Sequence, residues 1–190
     1  MNRAIACLIA AAALFAGIGT AQAQYADTRD IMGFGPQFHG GASPIPRTTV
    51  YYNGSYAPGT IVVNTGERRL YLVLANGQAL RYGIGVGRDG FRWGGVHKIT
   101  AKKEWPSWTP PAEMLARRHD IPRHMAGGID NPLGARALYL GSTLYRIHGS
   151  NEPETIGQAV SSGCFRMTND DVTDLYGRVG VGTTVVVLNN

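Results

Sequence analysis

Hydrophobic and polar positions change rhythm several times along this chain. Ile5 to Ile18 is apolar almost without interruption, follows Arg3, and leads to Ala21-Gln22-Ala23. The run is shorter than the ~20 residues that a membrane-spanning helix needs. A positive residue, a short apolar run and a small-x-small site form the pattern of a secretory leader, so residues 1–23 are expected to be a signal peptide cleaved after Ala23. Residues 24–58 show neither helical nor strand periodicity. They are rich in Gly, Pro, Tyr and polar residues, and read as a flexible Gly/Pro-rich lead segment. His39 falls in it and reads as solvated.

From Thr60 the rhythm becomes that of strands. Thr60 to Val63 is short and β-branched, Asn64-Thr65-Gly66 is a turn, and Arg69 to Ala75 is apolar almost throughout. Asn76-Gly77 is a two-residue hairpin signal, because both positions tolerate positive φ, and Gln78 to Val86 returns. Residues 60–86 therefore predict a three-stranded meander. Lys98 to Trp105 predicts another strand. A link from Pro106 to Gly134 follows, broken by Pro at 106, 110, 111, 122 and 132. It holds a short predicted helix at 111–118 with Pro in its first turn. A link of this length reads as a lid or binding loop, and Trp105 and Trp108 are candidates for its apolar wall.

Ala137 to Leu140 and Thr143 to His148 predict a second hairpin around Gly141-Ser142. Thr168 predicts an N-cap for a helix over 169–178, with Asp171 three positions on in the capping-box pattern. Asp170, Asp171 and Asp174 lie in the early turns, where the helix dipole favours acids, and are assigned to helix stability. Thr183 to Leu188 predicts a buried strand. The sum is a mainly β domain with short helices over residues 59–190, and the 190-residue length suits one domain.

Charge narrows the partners. The chain has 18 Lys+Arg against 13 Asp+Glu, and loss of the leader with Arg3 lowers the formal net charge from +5 to +4. The excess is scattered, with no basic tail and no basic helix interleaved with aromatics, so no nucleic-acid partner is expected. A mildly basic surface suits an anionic polymer or anionic peptide termini. His119 and His124 flank Pro122, which rules out a helical metal pair, and no Cys or carboxylate cluster completes a zinc set. Neither metal nor cofactor is expected.

The cysteines turn this into chemistry. Cys7 leaves with the leader, and Cys164 remains as the one thiol of the exported chain. A single thiol in an oxidising compartment has no bridging partner, which argues that it has a task. It sits in Ser161-Ser162-Gly163-Cys164-Phe165-Arg166, where small side chains leave room for a substrate carbonyl and keep backbone amides reachable. His148, sixteen positions upstream, can supply a base and later an acid.

The segment Tyr145 to Met167 resembles the catalytic signature of the L,D-transpeptidases, the YkuD-type domain. That signature is Ile-His-Gly and then, about fourteen to seventeen residues on, Ser/Thr-His-Gly-Cys with an apolar residue and Arg or Asn after it. Here the two parts are Ile147-His148-Gly149 and Ser161 to Arg166. Arg68 to Leu74, Gly85 to Arg88, Trp108 to Pro111 and Asn131 to Leu138 also look like the periplasmic branch, so the resemblance covers residues 59–190. It implies a YkuD-type mixed β-sandwich with short helices and a long capping link.

It further implies that Cys164 attacks a peptidoglycan tetrapeptide stem, with His148 as base and the Gly149 carbonyl holding its tautomer. Backbone amides of Ser162, Gly163 and Cys164 would form the oxyanion hole, and Arg166, Ser161 and Trp108 would contact substrate or support the loop. The expected product is a 3→3 cross-link to a diamino-acid acceptor in cell wall biogenesis, in the periplasm, with carbapenem-type β-lactams as inhibitors. Other acceptors are water, for an L,D-carboxypeptidase, and the N-termini of outer-membrane proteins. The family usually has His where this chain has Ser162. A hydroxyl cannot carry a proton at neutral pH, and this departure keeps an inactive peptidoglycan-binding module as a rival reading.

Overall fold

The computed structural model describes residues 42–189, and the predicted leader and the first part of the lead segment lie outside them. The strands are β1 (Thr48–Tyr51), β2 (Ile61–Asn64), β3 (Arg69–Val73), β4 (Gln78–Gly83), β5 (Val86–Gly87), β6 (Gly95–Glu104), β7 (Arg136–Leu140), β8 (Arg146–His148), β9 (Ala159–Ser161), β10 (Phe165–Arg166) and β11 (Thr184–Leu188). The helices are α1 (Ala112–Arg117) and α2 (Asn169–Arg178), with one 3₁₀ turn at Pro153–Thr155.

Nine strands form a sheet in the order β1-β4-β3-β2-β11-β6-β7-β8-β10, and β5 and β9 pair separately. The predicted meander is present as β2-β3-β4. Asn76 and Gly77 take φ of 59° and 64°, as a hairpin turn of two left-handed residues requires. The predicted return strand is shorter than expected. It ends at Gly83, and Val86–Gly87 leaves the meander to pair with β9. Close contacts leave little room for side chains at the two glycines that flank the departure. A Cβ on Gly83 would stand 2.6 Å from Ile45 Cβ, and one on Gly85 would stand 3.0 Å from Thr155 O.

The long strand β6 joins the two halves of the sheet. Its first part, Gly95 to Lys98, pairs with β11, and its second part, Ile99 to Glu104, pairs with β7. Between them the register shifts around Thr100, a β-bulge that bends a strand and raises its local twist. The halves thereby share one core. Ile61, Leu70, Leu72 and Tyr82 from one side meet Leu138, Ile147, Phe165 and Met167 from the other, with Val172 and Leu175 of α2 among them. β11 lies between β2 and β6 with Val185 fully buried, as its unbroken apolar run predicts.

Helix α2 spans the predicted residues, and Thr168 Oγ1 accepts the Asp171 N–H at 3.2 Å. The Asp171 carboxylate does not complete a capping box. It meets the Arg47 guanidinium at 3.2 Å instead. Arg47 also approaches Asp174, which accepts from Tyr82 Oη at 2.6 Å.

The lead segment is the main correction. Residues 48–51, expected to be without regular structure, form β1 and pair antiparallel with β4. Thr48, Thr49 and Tyr51 are exposed, so this edge strand has no buried face to impose an alternating pattern. Backbone pairing alone defines it, and backbone groups leave no mark in the sequence.

The second predicted hairpin is present, but Thr143 to Tyr145 belong to its turn rather than to β8. The link carries α1 one residue inside each predicted end. That helix has no side-chain N-cap and no buried residue. Among the described residues no helix is long and apolar enough to cross a membrane.

Candidate active site

The site grows from the parallel pair β8 and β10. Phe165 stands beside Ile147, and Arg166 beside His148. Ile147 and Phe165 are fully buried and fix this register through the core. Alternation then sends Arg146, His148, Cys164 and Arg166 to the opposite face. Cys164, one step before Phe165, falls diagonally across from His148 on that face. Both residues line one cavity of about 490 Å³.

His148 is buried, and its Nδ1 lies 2.6 Å from the Gly149 carbonyl. A carbonyl can only accept, so Nδ1 carries the proton and Nε2 is left as a base. Burial lowers the His148 pKa to about 3. The Arg166 and Arg146 charges lower it as well, while the bond to Gly149 acts the other way. The imidazole is therefore neutral at physiological pH. Burial raises the Cys164 pKa, against the Arg146 guanidinium, the Arg146 backbone and the Arg166 guanidinium. Its Sγ lies 3.9 Å from Leu144 O as donor. The resting pair is an uncharged thiol and an uncharged imidazole.

The turn before Cys164 is held from several sides. Ser161 Oγ donates to Cys164 O at 2.6 Å and accepts the Gly163 N–H at 3.1 Å. Gly163 has φ 109°, a conformation that L side chains rarely adopt, and a Cβ there would stand 2.4 Å from the Tyr145 ring. The Gly163 amide already serves Ser161, because the hydroxyl two residues back closes a tight local turn. Of the three amides expected as oxyanion donors, those of Ser162, Gly163 and Cys164, the Gly163 amide has this partner within the loop.

Gly149 is confined as well. A Cβ on it would stand 2.3 Å from Asn169 Oδ1, which accepts the Ala135 N–H at 2.9 Å. Asn169, at the start of α2, thus braces the chain next to His148. The Arg166 guanidinium meets Glu152 at 2.7 Å, and its backbone exchanges hydrogen bonds with Gly85. It reaches the loop that carries the 3₁₀ turn while its side chain still lines the cavity.

Trp108 lines the cavity from the link, tied through its backbone to Met125 at 2.8 Å. Trp105 does not line it. It sits at the end of β6 with φ 41°, and its carbonyl would meet a Cβ on Gly127 at 1.9 Å.

Sequence reasoning missed several contributors. Tyr145 and Leu144 shape the thiol's surroundings from the hairpin turn. Arg88 and Phe91 form part of the cavity wall, and Phe91 lies under both the Arg88 and Arg117 guanidiniums, at 4.6 and 5.4 Å. Trp93 donates through Nε1 to Gly163 O at 2.6 Å. An aromatic residue among glycines, Phe91-Arg92-Trp93-Gly94-Gly95, was the available signal. Among the described residues no group of three or more His, Cys, Asp or Glu is arranged to hold a metal.

Fold and site together define a strand-built domain in which a thiol and a base-ready imidazole open onto one cavity. This chain belongs to the YkuD family, the L,D-transpeptidase catalytic domain, whose sequence model matches residues 58–187. It is similar to the probable L,D-transpeptidase ErfK/SrfK of Escherichia coli, with 38% identity over 138 residues. That match covers 68% of this chain and 44% of the relative, so the chain spans less than half the length of this curated protein.

A solved Brucella melitensis structure named a probable carnitine operon oxidoreductase CaiA is 45% identical. It covers 85% of this chain and 99% of its own, with a TM-score of 0.51. The fold is shared with L,D-transpeptidase 3 of Mycobacterium tuberculosis, solved with a faropenem-derived adduct, at 14% identity and a TM-score of 0.53. That match covers 67% of this chain and 59% of the other.

Proposed function

We propose that this protein is an L,D-transpeptidase that works through a Cys164 thioester on peptidoglycan tetrapeptide stems. The carrying observation is the diagonal placement of His148 and Cys164 on one sheet face, opening into one cavity, with His148 Nδ1 committed to Gly149. Nε2 of the neutral imidazole takes the thiol proton as sulfur attacks the carbonyl of the third stem residue, a diamino acid. The S–C bond forms, the amide C–N bond breaks, and D-alanine leaves with the proton from His148. The side-chain amine of a second stem then attacks the thioester. A new C–N bond forms, the C–S bond breaks, and the thiol is restored.

The resting pair is uncharged, so the sulfur is shielded from adventitious chemistry until a carbonyl is present. The Gly149 carbonyl does the orienting work that a carboxylate does in a Ser-His-Asp triad. The cavity wall carries five arginines against three carboxylates, which suits the anionic stem. Arg166, bonded to Glu152, is read as loop support, and Trp108 as an apolar wall for the stem.

Export by a cleaved leader to the periplasm belongs to this reading, as does division into a lead segment and a catalytic domain from residue 59. So does acylation by carbapenem-type β-lactams, for which the faropenem adduct of the mycobacterial relative is a precedent. Water or an outer-membrane protein N-terminus could take the amine's place at the second step. A redox role has less support, because the chain after the leader has no second cysteine to resolve an oxidised Cys164.

The test is intact mass of the protein mixed with disaccharide tetrapeptide. A thioester adduct with released D-alanine is expected. Stem binding without D-alanine release would establish the inactive binding module instead.

A further inference from the structure

We propose that Trp93 is a positioning residue that aims the Cys164 amide at the substrate carbonyl. This deepens the acyl-transfer reading and rests on it. Trp93 Nε1–H donates to Gly163 O at 2.6 Å, well within hydrogen-bond range. There are no cis peptide bonds among the described residues. In a trans peptide the C=O and the N–H of one unit point in opposite directions. The Gly163–Cys164 unit is thereby oriented with its carbonyl toward the indole and its N–H, that of Cys164, away from it. Trp93 is not part of the cavity lining, whereas Ser162 and Cys164 are. In this proposal that N–H is the one turned to the cavity that Cys164 lines.

The indole has little freedom to drift. Tyr145 stacks on it with ring centroids 4.5 Å apart and planes 10° apart. Phe165 packs at 5.2 Å, and His97 meets it edge-on at 5.0 Å. The same Tyr145 ring occupies the space where a side chain at position 163 would go. The preceding peptide plane is held separately, since the Gly163 N–H goes to Ser161 Oγ. Gly163 thus has both flanking peptides fixed before any substrate arrives. A donor oriented in advance need not reorganise when the oxyanion forms, which is the source of its catalytic value.

The experiment compares two reactions at the same sulfur. Acylation by faropenem passes through a tetrahedral oxyanion. Alkylation by iodoacetamide is a direct displacement at carbon and has none. Two variants are used: Trp93→Phe, and replacement of Trp93 by 3-benzothienylalanine, which keeps the shape and stack but has no N–H. Both rates are followed by intact mass.

Loss of the N–H is expected to slow acylation by about tenfold or more, with alkylation within about twofold of the native rate. The benzothienyl protein carries the test if Trp93→Phe unfolds. Equal acylation rates in native and benzothienyl proteins would overturn the proposal. So would a parallel fall in both reactions, which would mean that Trp93 positions the thiol and not the amide. Failure of the underlying reading looks different: the native protein would be alkylated but acylated by neither faropenem nor the tetrapeptide, and the inference would fall with it.

Discussion

The two walls of the cavity are built on different terms. One wall consists of β8, β10 and the turn at 161–164, where Ile147, Phe165 and Met167 are almost wholly buried and Ser161 Oγ bonds both the Cys164 carbonyl and the Gly163 amide. The other comes from the link, where α1 buries no residue and has no side-chain cap. The first wall holds the thiol and imidazole. The second contributes Trp108, Met114, Arg117 and other surface groups. Groups that must meet a reacting atom within fractions of an ångström stand on close-packed strands. Groups that need only surround a ligand stand on a segment that packing constrains far less. Changes on the first wall should therefore destroy chemistry, and changes on the second should alter binding.

The largest effect is expected from Cys164→Ala, which should abolish the mass adduct with either tetrapeptide or a carbapenem. A persistent adduct would move the nucleophile elsewhere. Gly163→Ala should come next. It combines an unfavourable φ with a Cβ 2.4 Å from Tyr145, and it should cost about 2 kcal/mol or more in denaturant unfolding, along with most acylation.

His148→Gln should slow acylation by roughly 10²–10⁴-fold. It should also change the response to acid. The folded-state pKa of about 3 lies below the unfolded value. Between pH ~6.5 and about 3, the unfolded chain therefore binds a proton that the native one refuses. Native stability should fall as pH drops through that window, by up to roughly 1.4 kcal/mol per unit. Urea titrations at several pH values should show a shallower fall in His148→Gln. An identical slope would mean that His148 is not buried neutral.

The smallest effect should come from the link wall. Arg117→Gln should raise KM for the tetrapeptide by about threefold, with kcat and melting temperature unchanged. A fall in kcat instead would erase the contrast between the walls.

Much of this was legible before the structure. The meander, α2 with its Thr168 cap, and the pairing of His148 with Cys164 follow from local pattern and from a motif. Asn76-Gly77 needed positive φ at two positions and has it. The Gly149 carbonyl lies 2.6 Å from His148 Nδ1. What was not legible involves partners distant in sequence. β1 escaped because an edge strand exposed on both faces has no periodicity to read. Trp93 lies seventy positions from the carbonyl it holds, and no local rule links an indole to a peptide that far away.

The chain alone determined which side chains were available for chemistry, because a thiol set in a run of small residues and a favourably spaced imidazole are properties of the covalent sequence. Tertiary structure decided which partners the backbone groups beside the thiol take. The Gly163 amide was drawn to Ser161 and the Gly163 carbonyl to Trp93. Every residue has the same backbone N–H and C=O, so only folding distinguishes one amide from the next.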